Sequence, residues 1–173
     1  MANRLTLVLG GAASGKSAFA EALVLQSGTA RIYIATAQAL DDEMRAKIAA
    51  HRNQRGDNWQ TVEAPLDAGP ALSRVMPEQA VLFDCATMWL NNHLLAEHDI
   101  PAEVEGLIAA LTECPGDVTV VSNEVGQGIV PDNALARYFR DAQGQLNQAL
   151  AAAAQRVYFV TAGLPQLLKG EQR

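Results

Sequence analysis

The chain has 173 residues, enough for one domain with a sizeable core, and its 49% hydrophobic and 18% charged residues are those of an ordinary soluble globule. A net charge of −6 and a pI near 5.0 argue against a nucleic-acid-binding surface, which ordinarily shows as a basic domain, although a local basic cluster can still grip phosphates. No apolar run approaches the ~18 residues of a membrane span, and the apolar stretch at 5–9 is too short for a signal peptide. The two cysteines, Cys85 and Cys114, give neither a disulfide framework nor metal spacing, and read as buried, reduced side chains of a cytoplasmic enzyme.

Strand and helix patterns alternate along the chain. A short apolar strand is expected over 4–9, then a helix over 16–26 with Phe19, Ala20, Leu23 and Val24 at helical spacing, stopping at Ser27-Gly28. Residues 31–35 read as a second strand, 41–53 as a polar helix, and 60–64 as a weaker strand between Gly56-Asp57-Asn58 and Pro65. A short helix over 67–75 precedes the buried-strand pattern at 80–84. Helices follow over 87–96 and 101–113, the latter with Pro101 at an allowed first-turn position. Residues 118–122 (Val-Thr-Val-Val-Ser) form the clearest strand, 133–154 a long alanine-rich helix, and 157–161 a strand that closes the sheet. Apolar strands without alternation, each separated by a helix, imply a mostly parallel sheet covered on both faces.

Between the first strand and the first helix stands Gly10-Gly11-Ala12-Ala13-Ser14-Gly15-Lys16-Ser17, which satisfies the G-x-x-x-x-G-K-[ST] pattern. Glycines let the backbone N–H groups converge on phosphate oxygens, and the helix adds its positive end. In that chemistry Lys16 reaches the β- and γ-phosphates and the Ser17 hydroxyl ligates Mg²⁺. Asp84, ending an apolar strand, fits the acidic residue that holds Mg²⁺ through water; a strand-end Asp is otherwise commonly a helix cap. The expected fold is α/β: a P-loop NTPase (RecA-like) three-layer arrangement with a mostly parallel central sheet in a single domain spanning 1–173.

Lys47, His51 and Arg55 are spaced i, i+4, i+8, with Arg52 beside them, so a continuous helix would put three of them on one face. Neighbouring cations disfavour protonation and leave the imidazole neutral and nucleophilic, while the arginines suit phosphate oxygens. From spacing alone, a solvated helix face with an incidental histidine is the simpler reading. His93 and His98 have no comparable surroundings and read as surface or packing residues.

Several further segments then appear in one family's order. They are Tyr33-Ile34-Ala35-Thr36-Ala37, Leu40-Asp41-Asp42-Glu43-Met44, His51-Arg52, Arg55, Trp59, Thr61 and Glu63. Later in the chain come Asn123-Glu124-Val125-Gly126-Gln127-Gly128-Ile129-Val130-Pro131, Leu135-Ala136-Arg137, Phe139-Arg140-Asp141 and Leu146-Asn147-Gln148. With the glycine loop, nearly the whole chain resembles the bifunctional adenosylcobinamide kinase/adenosylcobinamide-phosphate guanylyltransferases of cobalamin biosynthesis.

That resemblance implies two reactions. A nucleoside triphosphate, ATP or GTP, phosphorylates the aminopropanol hydroxyl of adenosylcobinamide, and GMP from GTP is then passed to that phosphate through a guanylyl-histidine. It makes His51 the nucleophile, reversing the simpler reading of that residue. It also puts Ala35, Thr36, Arg52, Asn53, Gln54, Arg55, Glu63 and Asp84 in the nucleotide site. Glu63 faces either the guanine edge or the ribose; the sequence leaves both open. A substrate loop carrying Glu124, Gly126 and Gly128 and a homo-oligomer, a trimer, are also implied. The chain departs from the family at Ala13, where an arginine is common, and over 163–173.

Three other classes make different expectations. A GTP-driven switch needs an Asn-Lys-x-Asp signature, which Asn123-Glu124-Val125-Gly126 is not. A nucleic-acid-dependent ATPase of the RecA type needs a basic patch. A single-function kinase would form no GMP adduct.

Overall fold

A computed structural model describes residues 4–27, 30–38, 42, 45–46, 48–49 and 58–171. In chain order the elements are β1 (Leu5–Gly10), α1 (Lys16–Ser27), β2 (Ala30–Ala35), β3 (Trp59–Glu63), α2 (Gly69–Leu72), β4 (Gln79–Asp84), α3 (Ala86–Leu95), α4 (Ile100–Glu113), β5 (Asp117–Asn123), α5 (Ala134–Ala153), β6 (Arg156–Thr161) and β7 (Leu164–Lys169). The expected polar helix over 41–53 is described only at residues 42, 45, 46, 48 and 49, which are helical.

One seven-stranded sheet runs in the order β3-β2-β4-β5-β1-β6-β7. Its first six strands pair in parallel and β7 lies antiparallel on β6. The period-two alternation of strands explains the layering. Leu5, Leu7, Leu9, Ile32, Ile34, Val81, Phe83, Val118 and Val120 pack with Trp89, Leu90, Leu107, Leu111, Leu146 and Leu150 from α3, α4 and α5. Val8, Tyr33, Ala80, Leu82, Val121 and Val160 point to the other face, against Ala20 and Val24 of α1. Both faces are covered, which is why the strands read as continuous apolar runs.

Two helix starts have a visible cause. Asp99 Oδ1 accepts from Ala102 N at 3.4 Å ahead of Pro101 in α4, and Asn133 Oδ1 accepts from Ala136 N at 2.7 Å in α5. Both supply an acceptor for a first-turn N–H that has no partner inside the helix. The expected helix over 67–75 shortens to α2, which begins at Gly69-Pro70.

β7 corrects the expectation that 157–161 closes the sheet. Its sequence, Leu-Pro-Gln-Leu-Leu-Lys, contains no β-branched residue and carries a proline, which an edge strand tolerates. The β6–β7 turn holds Ala162 at φ 52° and Gly163 at φ 76°, the two positive angles of a tight hairpin turn, written without the usual Asn-Gly signal. Lys169 Nζ donates to the carbonyls of Ala151 and Ala152 at 2.9 and 3.0 Å, placing a cation at the negative end of α5.

A buried polar network joins α5 to β5. Ser122 Oγ donates to Asn147 Oδ1 (2.6 Å), Gln143 Nε2 to Ser122 Oγ and Asn147 Oδ1 (3.0 Å each), and Asn147 Nδ2 to Asn123 O (3.0 Å). This fixes the point where the 124–131 segment leaves the sheet. Asn147→Leu strands Ser122, Gln143 and the Asn123 carbonyl together, and is expected to cost about 2–3 kcal/mol of unfolding free energy. Urea unfolding measures it; a loss below about 0.5 kcal/mol contradicts the assignment.

Candidate active site

The parallel strands deliver their C-terminal residues to one edge: Gly10, Ala35, Glu63, Asp84, Asn123 and Thr161. The register aligns Gly10 with Asn123, and Ala35 with both Asp84 and Glu63. This is the edge at which open α/β sheets bind ligands. A separate cleft lined by Arg4, Ser27, Asp117, Arg156 and Tyr158 lies at the amino-terminal edge of the sheet, away from the glycine loop.

The loop from Gly10 to Ser17 owes its shape to two glycines. A Cβ on Gly10 would strike Ser14 Oγ and lie 2.7 Å from the Val160 carbonyl oxygen, while Gly15 has φ +91° and would set a Cβ 3.0 Å from Gly163 Cα. Gly163 N donates to Ser14 O at 2.7 Å, so the β6–β7 turn buttresses the loop. Ala13 also takes a positive φ of 53°, and both Ala12 and Ala13 are exposed. Ala13, the departure from the family pattern, leaves the loop's shape in place.

α1 carries no acidic residue in its first turn, so the helix itself leaves its positive end open toward the loop. Lys16 is 8% exposed and its Nζ donates to Gly11 O at 3.0 Å, holding the ammonium across the loop. Burial pushes the Lys16 pKa below its ordinary value, while the neighbouring Cys85 and Asp84 pull it up. Asp84 therefore lies within electrostatic reach of Lys16, although β4 is separated from β1 by β5.

Asp84 is held from the side. Tyr33 Oη donates to Asp84 Oδ2 at 2.8 Å. Thr36, fully buried, donates its hydroxyl to Cys85 O and accepts from Cys85 N, both at 2.8 Å, and Thr36 N donates to Asp84 O at 3.2 Å. Thr36 is thus a tie between the ends of β2 and β4, a role its sequence position did not announce. Asn92 Nδ2 of α3 donates to Thr36 O and Pro65 O at 2.8 and 2.9 Å, and Thr87 Oγ1 accepts from Asn123 N at 2.9 Å. Neither residue was singled out in the sequence. Cys85 caps α3 by accepting from Met88 N. Burial first and Asp84 second raise its thiol to about 11, so it stays protonated and unreactive at neutral pH. Both cysteines are free; Cys114 is buried and Cys85 partly so.

Glu63 is exposed at the end of β3, four strands from β1 and therefore about 19 Å across the sheet from the loop strand. Glu124, after β5, donates its N–H to Gly10 O at 3.0 Å and accepts from Gly126 N at 2.6 Å on Oε1. The 124–131 segment thus starts against the glycine loop and ends where Arg137 Nη1 donates to the carbonyls of Pro131 and Asp132, at 2.9 and 2.8 Å. Between these anchors Gly126, Gly128, Ile129 and Val130 are exposed. Lys47, His51, Arg52, Asn53, Gln54 and Arg55 lie outside the described residues.

Ser17 and Asp84 offer a hydroxyl and a carboxylate, hard oxygen donors of the kind Mg²⁺ takes alongside waters and phosphate oxygens. The arrangement therefore suits a metal-bound triphosphate. Gly10→Ala tests the close approach: the backbone carbonyl of Val160 cannot yield cheaply, so affinity for ATP or GTP is expected to fall at least about tenfold (~1.4 kcal/mol). Calorimetric titration reads this, and unchanged affinity contradicts it.

Among solved structures, the chain is similar to a protein from Pyrococcus horikoshii OT3 (TM-score 0.56, 10% identity, 99% of this chain and 88% of that one). It is also similar to the RadB recombinase (TM-score 0.50, 17% identity, 91% and 74%). These likenesses establish the RecA-like α/β fold and nothing of the chemistry. In sequence the chain is 48% identical over 168 residues to the bifunctional adenosylcobalamin biosynthesis protein CobP of Pseudomonas aeruginosa, covering 95% of this chain and 97% of that one. It is 43% identical over 181 residues to the bifunctional adenosylcobalamin biosynthesis protein CobU of Escherichia coli, covering 95% and 99%, and 42% identical to that of Salmonella typhimurium with the same coverage. The family described as cobinamide kinase / cobinamide phosphate guanyltransferase matches residues 6–168, and this chain belongs to it.

Proposed function

We propose that the chain phosphorylates the aminopropanol hydroxyl of adenosylcobinamide with ATP or GTP, then transfers GMP from GTP to the new phosphate, giving adenosylcobinamide-GDP. The observation that carries this reading is a formed phosphate loop, with buried Lys16 beside Asp84, in a chain of this family. In the kinase step the hydroxyl oxygen attacks the γ-phosphorus, the bond to the β-phosphate oxygen breaks, the nucleoside diphosphate leaves, and the hydroxyl proton is released to solvent. Loop N–H groups and Lys16 spread the charge that develops on the phosphoryl oxygens. Ser17 and Asp84 would hold Mg²⁺, which supplies further charge neutralisation when bound.

In the second reaction the His51 imidazole attacks the α-phosphorus of GTP and pyrophosphate leaves. An oxygen of the substrate phosphate then attacks the same phosphorus, the P–N bond breaks, and the imidazole is regenerated. Arg52, Asn53, Gln54 and Arg55 follow His51 in the chain and bind the triphosphate; Ala35 and Thr36 shape the floor of the nucleotide site, and Glu63 accepts from the guanine edge or the ribose. The loop bearing Glu124, Gly126 and Gly128 contacts the cobinamide side. Its exposed Ile129 and Val130 offer apolar surface to a large macrocycle. The whole chain acts as one catalytic domain within a cytoplasmic homo-oligomer, a trimer, whose partners are these small molecules and not nucleic acid. Among the described residues no helix is long and apolar enough to cross a membrane.

Mass spectrometry of the corrinoid products tests the reading. With ATP and Mg²⁺ the chain should yield adenosylcobinamide phosphate alone, and with GTP it should proceed to adenosylcobinamide-GDP. Phosphate as the sole product in GTP would leave a single-function kinase.

A further inference from the structure

A second cluster of side chains lies at the α3–α4 corner. His93 is buried in α3 at 2% exposure, His98 stands in the connection, and Glu103 is in the first turn of α4. The three sit five residues apart, a spacing that places them on no common helix face. The corner itself brings them together. Glu97 takes φ 56° just past the end of α3, and His98 N donates to His93 O at 3.1 Å, folding the second ring back over the first.

Their ligand atoms converge. His93 Nδ1 is 2.9 Å from His98 Nδ1, His93 Nδ1 is 3.7 Å from Glu103 Oε2, and His98 Nδ1 is 3.7 Å from Glu103 Oε1. Nitrogen and oxygen ligands at 2.0–2.1 Å around a tetrahedral ion stand about 3.3 Å apart, a value these separations bracket. The far side of His93 is also prepared. Its Nε2 donates to Leu66 O at 3.2 Å, and its ring packs on Trp89 with centroids 4.3 Å apart. With its proton on Nε2, the Nδ1 lone pair is directed at His98 and Glu103. A ligating histidine is typically fixed in this way, by its other nitrogen on a backbone carbonyl.

We propose that His93 Nδ1, His98 Nδ1 and a Glu103 carboxylate oxygen bind one Zn²⁺-class divalent cation, with water as the fourth ligand. Two imidazoles and one carboxylate suit zinc and its late-transition neighbours, while Mg²⁺ prefers all-oxygen surroundings. The site is therefore chemically distinct from the nucleotide's metal. On binding, the proton shared between the two Nδ1 atoms passes to Nε2 of the partly exposed His98 side chain. The ion joins the end of α3 to the start of α4 and to the 64–68 segment through Leu66. Asn92, adjacent to His93, holds the Thr36 and Pro65 carbonyls, so the cation stiffens the helix that supports the Asp84 side of the nucleotide site.

The test is titration of the chelator-treated full chain with Co²⁺ in excess Mg²⁺. The expected result is one Co²⁺ per chain with the visible d–d absorption of a tetrahedral N/O site, displaced by Zn²⁺. Zn²⁺ should also raise the melting temperature. His98→Ala, at a partly exposed position, should fold normally and weaken Co²⁺ binding about 100-fold, and Glu103→Gln about tenfold. Absence of the visible band in the wild type overturns the proposal. So does a band that persists unchanged in both variants, or one joined by thiolate charge-transfer absorption, since either would put the ion on other side chains.

Discussion

Lys16→Ala is expected to depress both activities together, by about 10²- to 10³-fold each, the range for removing one preorganised charged donor from a phosphoryl or acyl transition state. Lys16 is the ammonium that the phosphate loop holds at its centre, donating to Gly11 O. Both reactions need the same triphosphate gripped, so neither should survive selectively. Steady-state rates of cobinamide phosphorylation and of GDP-adduct formation measure the two losses. Loss of only one activity would mean that the second nucleotide is held elsewhere. Folding should be unharmed, because the same burial that lowers the Lys16 pKa makes its charge unfavourable in the folded chain. The pH dependence follows with its sign. Nucleotide binding needs the ammonium, so affinity should hold through neutral pH and fall as pH rises, with the decline setting in below the ordinary lysine value of 10.5.

His51→Ala is expected to separate the reactions that Lys16→Ala joins. Removing the proposed nucleophile should lower GMP transfer by at least about a thousandfold, as loss of a covalent catalyst does, while phosphorylation of adenosylcobinamide stays within about threefold of wild type. Accumulated adenosylcobinamide phosphate, measured chromatographically, is the signature. Equal loss of both steps would assign the histidine a structural role. His51→Asn offers a control for shape, since it keeps a polar planar group but lacks a nitrogen lone pair capable of attack.

Much of the carboxyl edge was legible because local chemistry dictates it. The Gly10–Gly15 spacing, the Lys16-Ser17 pair and the apolar strand ending at Asp84 each carry their meaning within a few residues, and the structure sets them along one sheet edge. Pro101 stands in the first turn of its helix, and Asn133 caps the long one. What stayed hidden depends on distant partners. Thr36 is expected in the nucleotide site, and the bonds its hydroxyl makes to Cys85, 49 positions along the chain, have no signal in the sequence. β7 was missed because an Ala-Gly turn and a Leu-Pro start carry no hairpin signal, although its turn supports the loop through Gly163 and Ser14. His93 and His98 read as separate surface or packing residues because nothing in the sequence shows the turn at Glu97 that brings them together.

In the proposed function one phosphate loop presents a triphosphate for attack at two different phosphorus atoms. Incubation with Mg²⁺ and GTP labelled at the α-phosphorus tests it most directly. The wild-type chain should retain acid-labile, base-stable label that is absent from His51→Ala and much reduced in Lys16→Ala, and added adenosylcobinamide phosphate should discharge it. An unlabelled wild-type chain, or equal labelling of the His51→Ala variant, would mean that no guanylyl group is carried on His51.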